Sequence, residues 1–426
     1  MNIHLQRYLT PEQAGICSVC SAHPAVIEAS LAFDRDTKRT VLIEATSNQV
    51  NQFGGYTSMR PADFRAYVER IAEIVGFDTQ RLWLGGDHLG PNPWSSKPAE
   101  EAMQLAEAMV REYVEAGFTK IHLDASMPLG GDEIPLDARL VAERAARLCR
   151  VAEAAASAES PPVYIIGTEV PIPGGETEGL EAVSVTTSAR FQETVATHRD
   201  AFQAAELMSA LDRVLAVVVQ PGVDFSDQDI MPFDPIAARE LITASTEEPS
   251  YVFEAHSTDY QSTESLAALV HQGFVILKVG PELTFAYREG LFALAAIEQE
   301  LIEPSSRSHL RNVIEQVMCD EPAAWQAYYH GDAQTQKWLR GFSYSDRIRY
   351  YWNHPIVSVA VNKLMANLRA IDIPMPLLQQ YFGLESHSWK APSHGAQQQD
   401  LPVRLLEQKL FAVLKRYRYG CDNSTL

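Results

Sequence analysis

Eight short apolar runs, spaced by longer amphipathic ones, restrict the fold of this chain more than any other feature. They are Ile16 to Cys20, Val41 to Ala45, Leu82 to Gly86, Lys120 to Asp124, Val163 to Gly167, Val214 to Gln220, Tyr251 to Ala255 and Val275 to Val279. Each has the length of a strand buried on both faces. The stretches between them carry the helical period, most clearly Asp137 to Ala155, where Leu140, Val141, Arg144, Ala145 and Leu148 fall on one face, but also Pro98 to Ala116 and Glu193 to Leu211. Eight strand–helix units in about 300 residues, each strand parallel to the last, predict an α/β fold, a TIM (β/α)8 barrel. A doubly wound open sheet has the same local pattern and is the alternative. Beyond about Glu303 the alternation stops. Residues from Ser305 to Leu384 read as helices, including Val357 to Leu368, Ser386 to Asp400 reads as a mobile linker, and Pro402 to Tyr417 as a last helix. The expected organisation is therefore a barrel over residues 1–303 and a helical C-terminal extension over 304–426.

Composition narrows the class. With 426 residues, 46% of them hydrophobic, the chain can bury a large core. A formal net charge of -20 would repel phosphates, so a nucleic-acid partner is not expected, and an anionic substrate needs a local basic pocket. The chain shows no secretory signal at its start and no apolar run of membrane-spanning length, which places it in the cytoplasm as an expectation, with no membrane partner. Five cysteines, an odd number, point to reduced thiols. Cys17 and Cys20 form a Cys-x-x-Cys, but on a strand positions three apart face opposite ways.

The strand ends carry the chemistry. In a parallel barrel, polar side chains gather at the carboxyl ends, where the active site forms. Glu44 ends the second strand, Asp87 and His88 follow the third, Asp124 ends the fourth, and Glu169 follows the fifth. Gln220 ends the sixth, Glu254 and His256 mark the seventh, and Lys278 lies near the end of the eighth. Period two puts His122 with Asp124 on one face of the fourth strand, and Glu254 with His256 on one face of the seventh. Such carboxylates crowded in one mouth would repel unless cations sit among them. A divalent metal, Lys278 and the hydroxyls of an incoming sugar phosphate are the available remedies, and His88 with His256 and one or two carboxylates would suit zinc. A purely structural network of salt bridges is the alternative.

The loops fit a polar ligand. Asn48, Gln49, Asn51 and Gln52 after the second strand offer amides, and Gly54-Gly55 lets backbone approach closely. Val170 to Glu176 is a glycine-proline loop. Ser257 with its neighbours offers hydroxyls where this fold often holds phosphate. In the C-terminal part, Arg347 and Arg349 within Tyr344 to Trp352 either clamp an anion at the mouth or pair with surface carboxylates.

Long strings in this sequence resemble a known family. They are ATSNQVNQFGGYT (Ala45 to Thr57), LGGDHLGPNPW (Leu84 to Trp94), KIHLDASM (Lys120 to Met127), the stretch from Ile134 to Leu148, IGTEVPIPGGE (Ile166 to Glu176), FEAHSTDYQ (Phe253 to Gln261), LKVGPELTFA (Leu277 to Ala286) and SYSDRIRYYW (Ser343 to Trp352). Together they resemble the accessory, so-called non-catalytic subunit family of class II D-tagatose-1,6-bisphosphate aldolase, of galactitol and N-acetylgalactosamine catabolism. One departure is Pro128-Leu129, where the family carries Ser-Cys, so no role for that cysteine carries over. The resemblance implies a class II aldolase barrel, an oligomer, a catalytic aldolase partner chain and a sugar-phosphate ligand. It makes Asp87 the group that moves a proton and His88 and His256 zinc ligands. Gln220 and Lys278 stand where catalytic chains have further histidines, so Glu169 or Asp124 would complete the set.

The site expectation is thus Asp87, Asp124, Glu169 and Lys278 as catalytic groups, and Glu44, Asn51, Gln52, Gln220, Glu254, Ser257 and Arg347 against the substrate. His88 and His256 would sit on a divalent metal. Three functions compete: an accessory aldolase subunit; a metal-dependent enzyme in its own right, aldolase-like or a 4-epimerase of ketohexose phosphates; and a tagatose-6-phosphate kinase, a label some family members carry, although no G-x-x-x-x-G-K-[ST] string occurs.

Overall fold

A computed structural model describes residues 3–168, 183–383 and 400–423. Its core is a closed ring of eight parallel strands: β1 (Ile16–Val19), β2 (Val41–Thr46), β3 (Leu82–Leu89), β4 (Lys120–Leu123), β5 (Val163–Ile166), β6 (Val214–Val218), β7 (Val252–Ala255) and β8 (Phe274–Val279). They pair in sequence order, with β8 closing onto β1 through Ser18 opposite Lys278. The expected barrel is therefore the observed one, with each strand within a residue or two of its apolar run, β3 apart.

β3 is longer than its sequence suggests. The apolar run ends at Gly86, but the strand continues through Asp87 and His88 to Leu89. A register shift against β4 between Gly86 and Leu89 absorbs the extra residue, and His88 takes the left-handed φ of 49° there. The glycines serve space rather than turning. A Cβ on Gly85 would lie 2.8 Å from Glu44 Cγ, and one on Gly86 would lie 2.4 Å from Leu89 Cδ1.

The amino end of the barrel is sealed by apolar packing. Ile16, Leu42, Trp83, Val163, Leu215 and Val275, all at or near strand starts, cluster with Leu5, and Tyr8 stacks on Trp83 with centroids 3.6 Å apart. Closing that end with hydrocarbon leaves the carboxyl end for polar side chains. Outside the ring, the helix Ala138–Ala155 begins at Asp137, whose carboxylate accepts from the Arg139 N–H, and buries Val141, Ala145, Leu148 and Ala152. No helix among the described residues is long and apolar enough to cross a membrane.

The chain divides into two compact units. The first comprises Met1–Phe225, Ile230–Gly280 and Lys415–Leu426; the second comprises Ser226–Asp229 and Pro281–Leu414. In the first, the C-terminal end is stitched to barrel segments. Tyr417 Oη donates to the Thr258 carbonyl at 2.8 Å, Arg418 pairs with Asp34, and Arg39 pairs with Asp422 at 2.5 Å. In the second, the helix Pro281–Leu301 is joined by Leu310–Asp320, Ala333–Phe342, Pro355–Arg369 and Met375–Phe382. Buried Arg288 pairs there with Asp346 at 3.0 Å. Of the linker expected near 386–400, all but Asp400 lies outside the described residues.

Candidate metal centre and charge ring

The lumen-facing residues of β4 rise toward the mouth in steps of two: Lys120, His122, then Asp124 just past the strand. Each meets a different layer of partners.

The lowest layer is a closed ring of charge. Lys120 Nζ lies 2.7 Å from Glu44 Oε1 and 2.7 Å from Glu254 Oε2. Lys278 Nζ lies 2.9 Å from Glu44 Oε2 and 3.2 Å from Glu254 Oε1, and it also pairs with Asp87 Oδ1. The contacts of Lys120 are ionic rather than aligned hydrogen bonds, since neither its Nζ nor Glu254 Oε2 finds a hydrogen-bond partner among the described residues. Glu44 gains one from Ser18 Oγ at 2.6 Å.

Three imidazoles stand above the ring. The centroids of His88, His122 and His256 are 5.1, 4.9 and 5.3 Å apart in pairs, and all three rings are buried. With Asp87 they offer ligand atoms that lie within 4.8 Å of one another. Each ring is fixed by a carboxylate. His88 Nδ1 is 2.8 Å from Asp124 Oδ2, His122 Nδ1 is 3.0 Å from Asp87 Oδ1, and His256 Nε2 is 3.0 Å from Glu254 Oε1. Asp124 is itself steadied by the Ser126 hydroxyl at 2.6 Å. The backbone N–H of His88 also donates to His122 Nδ1 at 3.2 Å, so that nitrogen faces both an N–H and a carboxylate. At the other side of the ring His122 Nε2 is buried and finds no hydrogen-bond partner among the described residues.

Burial opposes charge throughout, and partners decide the outcome. At Asp87 desolvation is outweighed by His88, Lys278 and His122, which hold the carboxyl well below its usual range. At Glu254 it is outweighed by Lys120 and Lys278, and at Asp124 by His88, so both acids stay low. Burial alone would depress His88, but the carboxylates of Asp87 and Asp124 leave it raised. His256 has burial and then Lys278 against its charged form and is pushed down to about 3, which makes it a neutral imidazole with a free lone pair. Lys278, despite burial, is raised well above the ordinary lysine value by Asp87, Glu254 and Glu44.

Of the residues expected from sequence, Asp87, Asp124, Lys278, Glu44, Glu254, His88 and His256 converge here. The others do not join them in the described contacts. Asn51 spends its amide on its own loop, donating to the Ser47 carbonyl and accepting from the Phe53 and Gly55 N–H groups, and Gln52 donates to Leu105. Gln220 Oε1 accepts from Gly222 and Val223 and braces a turn. Ser257 is half-buried at a φ of 52°. Arg347 belongs to the second unit, where its guanidinium lies 3.3 Å from the Tyr328 ring centroid and its Nε donates to the Ala324 carbonyl. That is an aromatic and backbone setting rather than a carboxylate one. Glu169 and the loop Val170 to Glu176 lie outside the described residues. The Cys-x-x-Cys does not act as a pair: Cys17, Cys20 and the other three cysteines are all free.

Two residues of the cluster, Lys120 and His122, stand out less in the sequence, although β4 carries both. Lys120 sits two positions before His122, so period two already aimed it into the lumen. His122 was placed on that face but not counted as a ligand.

Residues 1–422 match the family described as D-tagatose-1,6-bisphosphate aldolase subunit GatZ/KbaZ-like. A protein of Klebsiella pneumoniae named D-tagatose-1,6-bisphosphate aldolase subunit GatZ is 50% identical over 423 residues, 99% of each chain. Its counterpart of the same name in Escherichia coli K12 is also 50% identical, over 99% of this chain and 100% of its own. Among solved structures, a probable tagatose 6 phosphate kinase from Sinorhizobium meliloti superposes with a TM-score of 0.87. It is 46% identical and covers 96% of this chain and 100% of its own.

Proposed function

The chain belongs to the D-tagatose-1,6-bisphosphate aldolase subunit GatZ/KbaZ-like family, and from that premise we propose that it serves as the accessory subunit of a class II D-tagatose-1,6-bisphosphate aldolase. In this reading it supports a catalytic partner chain in an oligomer of the cytoplasm, with the barrel over residues 1–303 as the working body and residues 304–426 as its extension. What carries the reading is likeness along the whole length to proteins named as that subunit.

A specific observation favours a second reading. Three carboxylate-braced histidines and Asp87 converge, and His122 Nε2 is orphaned, which supports a metal-binding role for this cluster. His88 Nε2, which lies 3.8 Å from Asp87 Oδ2, His122 Nε2 and His256 Nδ1 are the nitrogens that would face the metal. A divalent metal such as zinc would there polarise a carbonyl oxygen of a ketohexose phosphate. Asp87, held ionised by its neighbours, would accept a proton from the substrate carbon or hydroxyl. Asp124 and Glu254 would orient the ligand imidazoles, and Lys278 would hold Asp87. The chain is then a metal-dependent aldolase-like enzyme or 4-epimerase on its own.

One set of assays separates the readings. The purified chain is assayed for metal and incubated alone with tagatose 6-phosphate, fructose 6-phosphate and tagatose 1,6-bisphosphate, then again with a catalytic class II chain. Activity that appears only with the partner supports the accessory subunit. Turnover by the chain alone, abolished in Asp87→Asn, overturns that reading in favour of the enzyme. ATP consumed with tagatose 6-phosphate would support the kinase named for the Sinorhizobium meliloti neighbour.

A further inference from the structure

Two groups of metal-ligand type share Asp87. One is the histidine cluster. The other is Cys20, Glu44 and Asp87, whose ligand atoms also lie within 4.8 Å of one another. A thiol with two carboxylates is a donor set for a zinc-like divalent cation. A cation is already seated there. Lys278 Nζ lies 2.9 Å from Glu44 Oε2 and 3.2 Å from Glu254 Oε1, pairs with Asp87 Oδ1, and acts electrostatically on the Cys20 thiol.

We propose that Lys278 is a tethered cation filling a second metal position beside the histidine centre, with Asp87 shared between the two, so that the chain holds one metal where its donors would otherwise hold two. This rests on the metal-binding reading of the histidine cluster. The seat is rigid. Glu44 and Glu254 are wholly buried and each is pinned from its other oxygen by Lys120 at 2.7 Å. The ammonium nitrogen sits among three carboxylate oxygens, as a small cation would, and Cys20 Sγ lies within 4.8 Å of a carboxylate oxygen of Glu44 and of Asp87. Three carboxylates around one fixed charge would accept a divalent ion in its place, whereas the lysine stem on β8 keeps the native charge from exchanging.

Cobalt(II) titration of the full chain, freed of metal by chelation, tests this. The expected result for the native chain is one equivalent bound, with no thiolate-to-cobalt charge-transfer absorption. Lys278→Met should take up two equivalents and show that absorption, through Cys20. Adding Cys20→Ser should remove the absorption and weaken the second equivalent at least tenfold, and Lys278→Arg should bind one equivalent. A Lys278→Met protein that stays at one equivalent, or binds a second without the thiolate signature, overturns the proposal while leaving the histidine centre standing. A native chain that binds two equivalents also overturns it. A native chain that binds none removes the histidine centre and the proposal together. Should Lys278→Met fail to fold alone, cobalt should restore its circular dichroism; no recovery at saturating cobalt counts against the replacement of one cation by another.

Discussion

Lys120→Met is the substitution that best tests the charge ring. The ammonium of Lys120 is wholly buried and touches Glu44 and Glu254 at 2.7 Å each. With an effective dielectric of about 20, each contact is worth about 6 kcal/mol of attraction. Desolvation of three buried charges offsets most of that sum, so the net value of the ring is small. Removing one partner is different, because the carboxylates stay buried. Glu44, Glu254 and Asp87 would then share the single ammonium of Lys278, and breaking a buried pair in this way costs about 3–5 kcal/mol. Methionine keeps most of the lysine stem, so little of the loss is a cavity. For a body of this size about 2 °C accompanies each kcal/mol, which sets the expected fall in melting temperature at about 6–10 °C. The assay is a thermal melt with denaturant titration, alongside Glu254→Gln and the double variant. Because the glutamine removes the charge that methionine strands, the double variant should be more stable than the two losses summed, by about 1–3 kcal/mol. A Lys120→Met protein within about 1 kcal/mol of the native chain, or strictly additive losses, would refute the ring as drawn.

Three other perturbations reach different parts of the barrel. His198 is wholly buried on the helix Ser188–Ala204, and burial pushes it down to about 4 from 6.5, against a hydrogen bond to the Thr194 carbonyl. The unfolded chain therefore takes up this proton first as pH falls, and stability is lost between about pH 6.5 and 4, by about 3 kcal/mol in all. His198→Leu should flatten that part of the profile, and identical acid profiles for the two proteins would refute the assignment. Gly90→Ala would place a Cβ 1.5 Å from the Asp124 carbonyl oxygen, displacing the carboxylate that braces His88. Metal affinity, measured by chelator competition, should fall about 10–100-fold, and unchanged affinity would free His88 from its dependence on Asp124. Tyr417→Phe removes a hydroxyl that donates to the Thr258 carbonyl at 2.8 Å and lies 3.0 Å from Thr258 Oγ1. The cost should be about 1–2 kcal/mol in a thermal melt, and no change would show that the C-terminal turn does not depend on that anchor.

The barrel was legible because its period is written in hydrocarbon. An apolar run buried on both faces has few alternatives to a parallel strand, so seven of the eight strands lie within a residue or two of their runs. β3 moved because glycine has two meanings, freedom to turn and absence of bulk, and the sequence does not distinguish them. At Gly85 and Gly86 bulk is what counts, since Glu44 and Leu89 fill the space. The same limit applies to the loops. Asn51 and Gln52 are as capable of binding a sugar as of bracing backbone, and only three-dimensional proximity shows them engaged with Ser47, Phe53, Gly55 and Leu105. The candidate metal cluster was half legible: Asp87, His88 and His256 stand out at strand ends, whereas His122 and Lys120 lie inside an apolar run and are overshadowed by Asp124 above them.

The rung a residue occupies decides its chemistry more than its type does. Successive lumen-facing residues on a strand are about 6.6 Å apart along it, so β4 places Lys120, His122 and Asp124 at three heights. β7 repeats the step with Glu254 in the ring and His256 among the imidazoles. Charges on the lower rung meet one another and are neutralised pairwise; the same carboxylate chemistry on the upper rung meets imidazole nitrogen and orients it. Glu254 belongs to both, pinned by Lys120 from one oxygen and fixing His256 with the other. A change in the ring must therefore reach the histidines through Glu254 or Asp87. Lys120→Met is expected to lower metal affinity as well as stability, whereas a purely apolar substitution at the plugged amino end, such as Leu42→Ala, should lower stability alone.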